Sequence, residues 1–178
     1  MIRKVLVGLS LFCFMGGPPG FAAEPPTVDP HLAPLAAFAG KTWRGNLAAE
    51  GKPAQWDVSR WEVVLKGKAI KTRHSVNEGA YGGESYIVWD EAKQSLVYFY
   101  FTNAGFYTTG TMTATGKGFE AREAVTGQAD GITEVRSTYE LLPDGRMRTR
   151  SEYLKNGEWV GGREAIYVED PSATVVLD

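Results

Sequence analysis

The sequence predicts an all-β protein built as a single ten-stranded, antiparallel, up-and-down β-barrel. Only Pro53 and Pro143 lie between residues 40 and 170, and both fall in turn sequences, so this stretch is nearly free of the residue that interrupts a β-ladder. Nine turn sequences divide the stretch into short segments rich in β-branched and aromatic residues. Such short connections join neighbouring strands antiparallel, and closing the meander removes both exposed edges.

The composition also divides the chain into four parts. We expect a signal peptide at residues 1–22, a linker with a short helix at 23–39, the barrel at 40–170 and a tail at 171–178. The nine turn sequences lie at residues 50–53, 66–68, 78–83, 90–93, 103–105, 115–118, 126–131, 143–145 and 156–157.

The first 22 residues are typical of a secretory signal peptide. Arg3 and Lys4 provide a positive start, an apolar run of 11 residues follows from Val5 to Met15, and Ala22 provides a small residue for cleavage. A permanent anchor is the weaker interpretation, because a spanning helix needs about 20 apolar residues. We therefore expect a periplasmic or secreted protein with no membrane span after cleavage.

Charge and cysteine content narrow the possible partners. Cleavage removes Arg3, Lys4 and the only cysteine, Cys13, so the mature chain can form no disulfide. It leaves 17 basic residues (19 less 2) against 21 acidic residues, a net charge of −4. This balance argues against a nucleic-acid partner, which requires clustered positive charge. With His31 and His74 as the only histidines, we expect no metal site, and no catalytic motif occurs.

The segment before the barrel predicts one short helix. Asp29 is a suitable N-cap, Pro30 fits the first turn, and Gly40 fits the end. Apolar residues follow at helical spacing, namely Leu32, Leu35 and Phe38. We expect this helix to plug one open end of the barrel with its apolar face.

Alternation of side chains along a strand identifies candidate residues for the interior. His74 shares a face with Ile70 and Thr72, so we expect it to point inward. It could be a core group bonded to a hydroxyl, a polar anchor for a ligand, or a general base. Glu123 shares a face with Phe119 and would need a partner such as an inward arginine or His74, a bulge that turns it outward, or a role in ligand binding or proton transfer.

The aromatic segment at residues 98–101 allows two orientations. In the first, Phe99 and Phe101 point inward, and Tyr98 and Tyr100 lie outside with their hydroxyls in contact with solvent. In the second, the tyrosines line a cavity and the phenylalanines form an exposed patch. We favour inward tyrosines, because residues on the next strand could continue a polar wall. These residues are Tyr107, Thr109 and Thr111.

The late strands alternate most clearly. One face is expected to point inward and contains Val135, Ser137, Tyr139 and Leu141. The opposite face of the following strand has an arginine stripe at Arg146, Arg148 and Arg150. We expect this stripe to be a solvated outer surface that pairs across the hairpin with Glu134 and Glu140, with an anion site as the alternative.

Two segments resemble a known group of proteins. Gly40-Lys41-Thr42-Trp43-Arg44-Gly45 resembles the G-x-x-W-x-G start of lipocalin-like and nitrobindin-like barrels of the calycin group. Trp89-Asp90 and the run from Tyr98 to Gly110 are similar to a bacterial family of exported calycin-type domains without an assigned function. The resemblance covers residues 32–168.

This resemblance implies a ten-stranded barrel with an internal cavity and Trp43 packed across its closed end. In lipocalins a basic side chain of the last strand covers this tryptophan, and Arg163 is the candidate here. Nitrobindin-like barrels bind haem through a histidine late in the chain. Neither His31 nor His74 lies there, so we expect no haem and no other cofactor.

These observations favour an exported, non-catalytic barrel that binds a small, apolar or amphipathic ligand. The candidate ligand-binding residues are His74, Tyr98, Tyr100, Tyr107, Glu123 and Tyr139. One alternative is an enzyme in which His74 and Glu123 converge on a substrate and transfer a proton. The other is a packed barrel that acts through its outer surface or as a homodimer.

Overall fold

A computed structural model describes residues 27–125 and 131–177. The predicted signal peptide at residues 1–22 and most of the predicted turn at 126–131 lie outside the described residues. Within the described part, no helix has the length and apolar character needed to cross a membrane.

Ten antiparallel strands form a closed barrel, which confirms the predicted fold class. Each strand pairs with its neighbours in the chain, and β1 pairs with β10. The strands are β1 Thr42–Asn46, β2 Trp56–Val64, β3 Ala69–Val76, β4 Tyr81–Asp90, β5 Ser95–Thr102, β6 Tyr107–Thr115, β7 Gly118–Ala124, β8 Ile132–Leu141, β9 Met147–Lys155 and β10 Glu158–Glu169. Three turns are shorter than expected, since residues 81–83 and Asp90 belong to β4, Thr115 belongs to β6 and Gly118 belongs to β7.

Pairing of β1 with β10 closes the barrel. Trp43 lies opposite Glu169, and Gly45 lies opposite Tyr167. A Cβ atom at Gly45 would lie 2.8 Å from the Tyr167 ring, so a larger residue at position 45 would displace this ring. The closing seam therefore depends on a glycine that lets an inward aromatic ring approach the backbone.

The predicted plug is present, but its helix is shorter and tighter than expected. It is a 3₁₀ helix, Pro30–Leu35, and the Asp29 side chain accepts a hydrogen bond from the His31 backbone N–H as its cap. Pro34 has no N–H to donate, which disfavours a continued α-helix. Leu32, Leu35 and Phe38 are fully buried, as predicted. They close one end of the barrel.

An aromatic cluster joins the plug to the barrel. The Phe38 ring lies 5.8 Å from Trp61 and 5.3 Å, edge on, from Phe119, measured between ring centroids. The indole N–H of Trp43 donates to the backbone oxygen of Phe38 at 3.2 Å. These contacts pack the plug against the closed end of the barrel.

The prediction that Arg163 covers Trp43 is wrong. The cation near Trp43 is Lys41, whose Nζ lies 5.2 Å from the ring centroid. Trp43 pairs with Glu169, six residues beyond Arg163, so about 20 Å of strand separates the two levels at the usual rise per residue. Arg163 lies instead at a bulge between Gly161 and Glu164 and lines the cavity.

Ion pairs cover the outer surface of the late strands, as predicted for a solvated face. Arg148 pairs with Glu140 across the β8–β9 hairpin as predicted, whereas Glu134 pairs with Arg122 of β7 and not with the arginine stripe. Arg136 Nη2 lies 2.8 Å from Glu152. Such exposed pairs contribute little stability. The fold therefore depends on the plug and the interior rather than on this charged surface.

Replacing Phe38 with alanine tests the role of the plug. Phe38→Ala should lower the free energy of unfolding by about 3–5 kcal/mol, because it leaves a cavity in a packed aromatic cluster. The control is Leu65→Ala at the same end of the barrel, where the side chain is 66% exposed and the change should be within about 0.5 kcal/mol. Urea denaturation measures both. Equal effects of the two substitutions would show that the plug does not belong to the core.

Candidate functional site

The barrel encloses a cavity of about 410 Å³ that opens at the end opposite the plug. Four kinds of side chain line it: aliphatic residues, aromatic residues, serine and threonine hydroxyls, and ionisable groups. Its closed end is mostly apolar, with Trp61, Ile87, Met112 and Met147. The arrangement provides an apolar floor and a polar upper wall.

Five of the six predicted ligand-binding residues line this cavity. They are His74, Tyr98, Tyr100, Glu123 and Tyr139. The inward orientation of the tyrosines on β5 is therefore confirmed, and Phe99 and Phe101 lie exposed on the outside.

The expectation that Tyr107 lines the cavity is wrong. Pairing of Tyr98 with Gly110 places Gly110 on the inner face of β6, so alternation puts Tyr107, Thr109 and Thr111 outside. Tyr107 is 66% exposed, and its ring lies 6.0 Å from that of Phe101. The residues of one strand could not fix the parity of the next, because parity depends on the length of the intervening turn.

Three inward tyrosines lie against glycines of neighbouring strands. A Cβ atom would lie 2.8 Å from Tyr167 if placed at Gly45, 2.7 Å from Tyr100 if placed at Gly83, and 2.5 Å from Tyr98 if placed at Gly110. Each ring therefore rests close to the backbone of the barrel wall. This packing leaves the centre of the barrel open.

Asp57 is the centre of the polar wall, and the sequence reasoning missed it. It is only 5% exposed. Its Oδ2 accepts a hydrogen bond from the Tyr167 hydroxyl at 2.8 Å, and its Oδ1 lies 2.9 Å from Nδ1 of His74. Alternation along β2 offered a signal, because an inward Trp61 implies an inward Asp57.

The hydrogen-bond chain continues from His74 towards the open end. Nε2 of His74 lies 2.7 Å from the Tyr100 hydroxyl, which lies 3.1 Å from the Tyr81 hydroxyl. In the neutral form of the imidazole, the tautomer that satisfies both partners carries its proton on Nδ1 for Asp57 and accepts from Tyr100 at Nε2. Burial raises the pKa of Tyr100, so this phenol stays protonated at neutral pH.

Glu123 belongs to a second polar group. The Tyr98 hydroxyl donates to Glu123 Oε2 at 3.3 Å. Burial raises the pKa of Glu123, although the hydroxyls of Tyr98 and Thr108 oppose this effect. Burial and the charge of Glu123 raise the pKa of Tyr98. Glu123 and His74 thus face the same cavity but have different hydrogen-bond partners among the described residues.

Tyr139 lies deeper, between these groups and the aromatic cluster. Its ring stacks on Phe119 with centroids 4.5 Å apart. Burial raises the pKa of Tyr139 to about 12. This residue therefore contributes mainly a neutral aromatic surface to the floor of the cavity.

The donor set does not fit haem or a metal ion. Both ring nitrogens of His74 already have partners, Asp57 and Tyr100. His31 stacks on Trp89 at 4.0 Å and does not line the cavity. Within residues 27–125 and 131–177, no three His, Cys, Asp or Glu side chains are grouped so that they could hold a metal ion.

Comparison with known proteins supports the fold only. No family model matches the chain, and no curated protein matches its sequence. Among solved structures, the crystal structure of Rv2717c from M. tuberculosis is similar, with a TM-score of 0.53 and 13% sequence identity. The match covers 81% of this chain and 99% of the other. The chain therefore shares a barrel fold with that protein.

The raised pKa of Glu123 predicts a pH-dependent effect of Glu123→Gln. When folding raises the pKa of a carboxyl group, the group stabilises the folded state fully at pH values below its ordinary pKa of 4.5. This stabilisation is lost as the pH rises through the pKa that the group has in the folded state. Gln is neutral throughout, so the variant should be more stable than the wild type at pH 7. The advantage should shrink as pH falls towards 4.5.

Thermal unfolding between pH 4 and pH 8 measures this difference. Glu120→Gln is the matched control, since Glu120 lies on the same strand but pairs with Arg122 on the outer face. Its effect should lack the gain at neutral pH. A Glu123→Gln advantage that stays constant or grows towards acid would contradict the assignment of Glu123 to a desolvated site.

Proposed function

We propose that this protein is an exported, non-catalytic barrel of the calycin type that holds one small amphipathic molecule in its cavity. Its place of action would be the periplasm or the exterior, as the sequence of residues 1–22 suggests. The observation that supports the proposal best is the cavity of about 410 Å³. This volume lies in the range of about 300–1,000 Å³ that small-molecule sites occupy.

The lining suggests how the ligand is oriented. Its apolar part would lie on Trp61, Met112 and Met147 near the plug. Its polar part would face the hydroxyls and ionisable groups of the upper wall, where Glu123 Oε2 accepts a long hydrogen bond from Tyr98 at 3.3 Å. A ligand with a hydrogen-bond donor would satisfy this carboxyl group. The polar wall favours an amphipathic molecule over a purely apolar one.

The hydrogen-bond chain favours binding over catalysis by His74. A general base needs a free nitrogen within reach of the substrate. Here the Asp57 and Tyr100 partners occupy both nitrogens of His74. The chain from Asp57 to Tyr100 also resembles a proton relay, so a second candidate is an enzyme in which Tyr100 is the group that touches the substrate. This candidate predicts loss of turnover, rather than of binding, in Tyr100→Phe.

Filling the cavity tests the binding proposal. Thr72→Phe places a large ring among the residues that line the interior, and Thr113→Phe places the same ring on the exposed face of β6. The probe is 1-anilinonaphthalene-8-sulfonate, a small amphipathic dye, titrated by fluorescence. Thr72→Phe should weaken its binding at least tenfold, which corresponds to about 1.4 kcal/mol. Thr113→Phe should leave it unchanged.

Circular dichroism and thermal unfolding show whether each variant keeps the barrel. Equal dye affinity in the wild type and a folded Thr72→Phe variant would contradict the proposed site. Equal losses in both variants would place the dye on the outer surface and contradict it as well.

A further inference from the structure

We propose that the open end of the barrel docks on a lipid–water interface through a ring of exposed aromatic side chains. We call this ring the aromatic collar. It consists of Trp56, Tyr81, Phe101, Phe106, Tyr107 and Trp159. These residues begin or end strands around the cavity mouth or lie in the β5–β6 turn. Their exposed fractions range from 36% to 66%.

The two ends of the barrel differ in the kind of apolar side chain that they expose. Seven aromatic side chains are exposed among the described residues, namely the six of the collar and Phe99, which lies two residues below Phe101 on the same face. At the plugged end the large exposed apolar side chains among the described residues, Leu65, Ile166 and Val168, are aliphatic. The aromatic surface is therefore concentrated at the end where the cavity opens.

The largest continuous part of this surface is too small for a stable homodimer. Phe99, Phe101, Phe106 and Tyr107 are about half exposed. They present about 400 Å² together, if each full aromatic side chain offers about 200 Å². A standard protein interface buries about 800 Å² on each partner. Patches of this smaller size on monomers often have a binding role.

The residue types and their neighbours suit a bilayer surface. Tryptophan and tyrosine favour the headgroup region, because they combine an apolar ring with a polar tip. The Arg44 guanidinium lies 4.2 Å from the Trp56 ring centroid, and the Arg136 guanidinium lies 4.3 Å from that of Trp159. Each of these guanidinium groups also lies near a carboxylate, Arg44 at 3.9 Å from Asp170 and Arg136 at 2.8 Å from Glu152, so the surroundings of the exposed tryptophans carry both signs of charge.

Charge at the open end indicates the kind of lipid. Among the described residues of this end, the β1–β2 connection contains Glu50 and Lys52, the β3–β4 turn contains Glu78, and the β5–β6 turn has no charged residue. Lys155 and Glu158 flank the β9–β10 turn. This near balance provides no strong attraction to an anionic surface. We therefore expect docking on zwitterionic phosphatidylcholine that depends weakly on salt.

Docking would place the cavity mouth against the headgroups. An amphipathic molecule could then pass between the lipid and the cavity without crossing water. This consequence rests on the proposed function, whereas docking itself does not require a ligand. The two can fail separately, because the collar lies outside the cavity except for Tyr81.

Co-sedimentation with phosphatidylcholine vesicles tests the collar in the full-length mature protein. The double variant Phe106→Ser/Tyr107→Ser should reduce partitioning at least tenfold. The control Leu65→Ser removes an equally exposed apolar side chain at the plugged end and should partition like the wild type. Thr72→Phe should also partition normally, even where it loses the dye. Vesicles with brominated acyl chains should quench part of the tryptophan fluorescence of the wild type.

Two results would overturn this proposal. One is the absence of wild-type partitioning at any lipid concentration tested. The other is a wild type that sediments as a dimer without lipid and loses both dimer and vesicle binding in the double variant, which would assign the collar to a second copy of the chain. Unchanged dye binding in the double variant would confirm that docking and the ligand site are separate.

Discussion

Closure of the sheet between β1 and β10 is the constraint on which the rest of the structure depends. Once β1 pairs with β10, through Trp43 with Glu169, Arg44 with Val168 and Gly45 with Tyr167, all ten strands belong to one closed sheet. Alternation then assigns every strand residue to the inside or the outside. This alternation explains why aromatic residues lie on both faces of β5, where the tyrosines face the cavity and the phenylalanines face outward.

Within this frame, small residues determine the shape of the cavity. Glycines at positions 45, 83 and 110 let inward tyrosine rings lie close to the backbone, so large aromatic side chains line the wall without filling the centre. Asp57 then ties β2, β3 and β10 together through His74 and Tyr167. A buried carboxylate is costly unless it is hydrogen-bonded, and here two donors satisfy it. The polar network thus organises the upper wall that the proposed ligand would contact.

Local sequence patterns predicted the strands and turns well, because turn residues and alternation act over a few positions. The plug was also predictable from Leu32, Leu35 and Phe38, although Pro34 made its helix a 3₁₀ turn. The errors concern relations between strands. The orientation of Tyr107 depended on the register between β5 and β6, and the position of Arg163 depended on how far β10 extends past it. The residues of one strand specify neither its register with the next strand nor how far a strand extends past a given residue.

The same limit explains why the candidate site was only partly predicted. His74 and Glu123 were correctly placed inside, but their partners come from distant segments: Asp57 for His74, 17 positions away, and Tyr98 for Glu123, 25 positions away. These contacts depend on strand register, because Asp57 reaches His74 from the neighbouring strand and Tyr98 reaches Glu123 across Gly110 of the strand between them. The exposed position of Phe101 was predicted together with the inward tyrosines, but the collar as a whole was not, since its six aromatic residues are scattered along the sequence and meet only around the mouth.

The most direct test of the central claim, that the closed barrel holds one small molecule, is native mass spectrometry of the mature protein purified from its natural source. The account predicts a bound, non-covalent mass of one small molecule per chain, released on unfolding. A chain that always appears at its bare mass, with a crystal structure showing the interior filled by its own side chains, would contradict it.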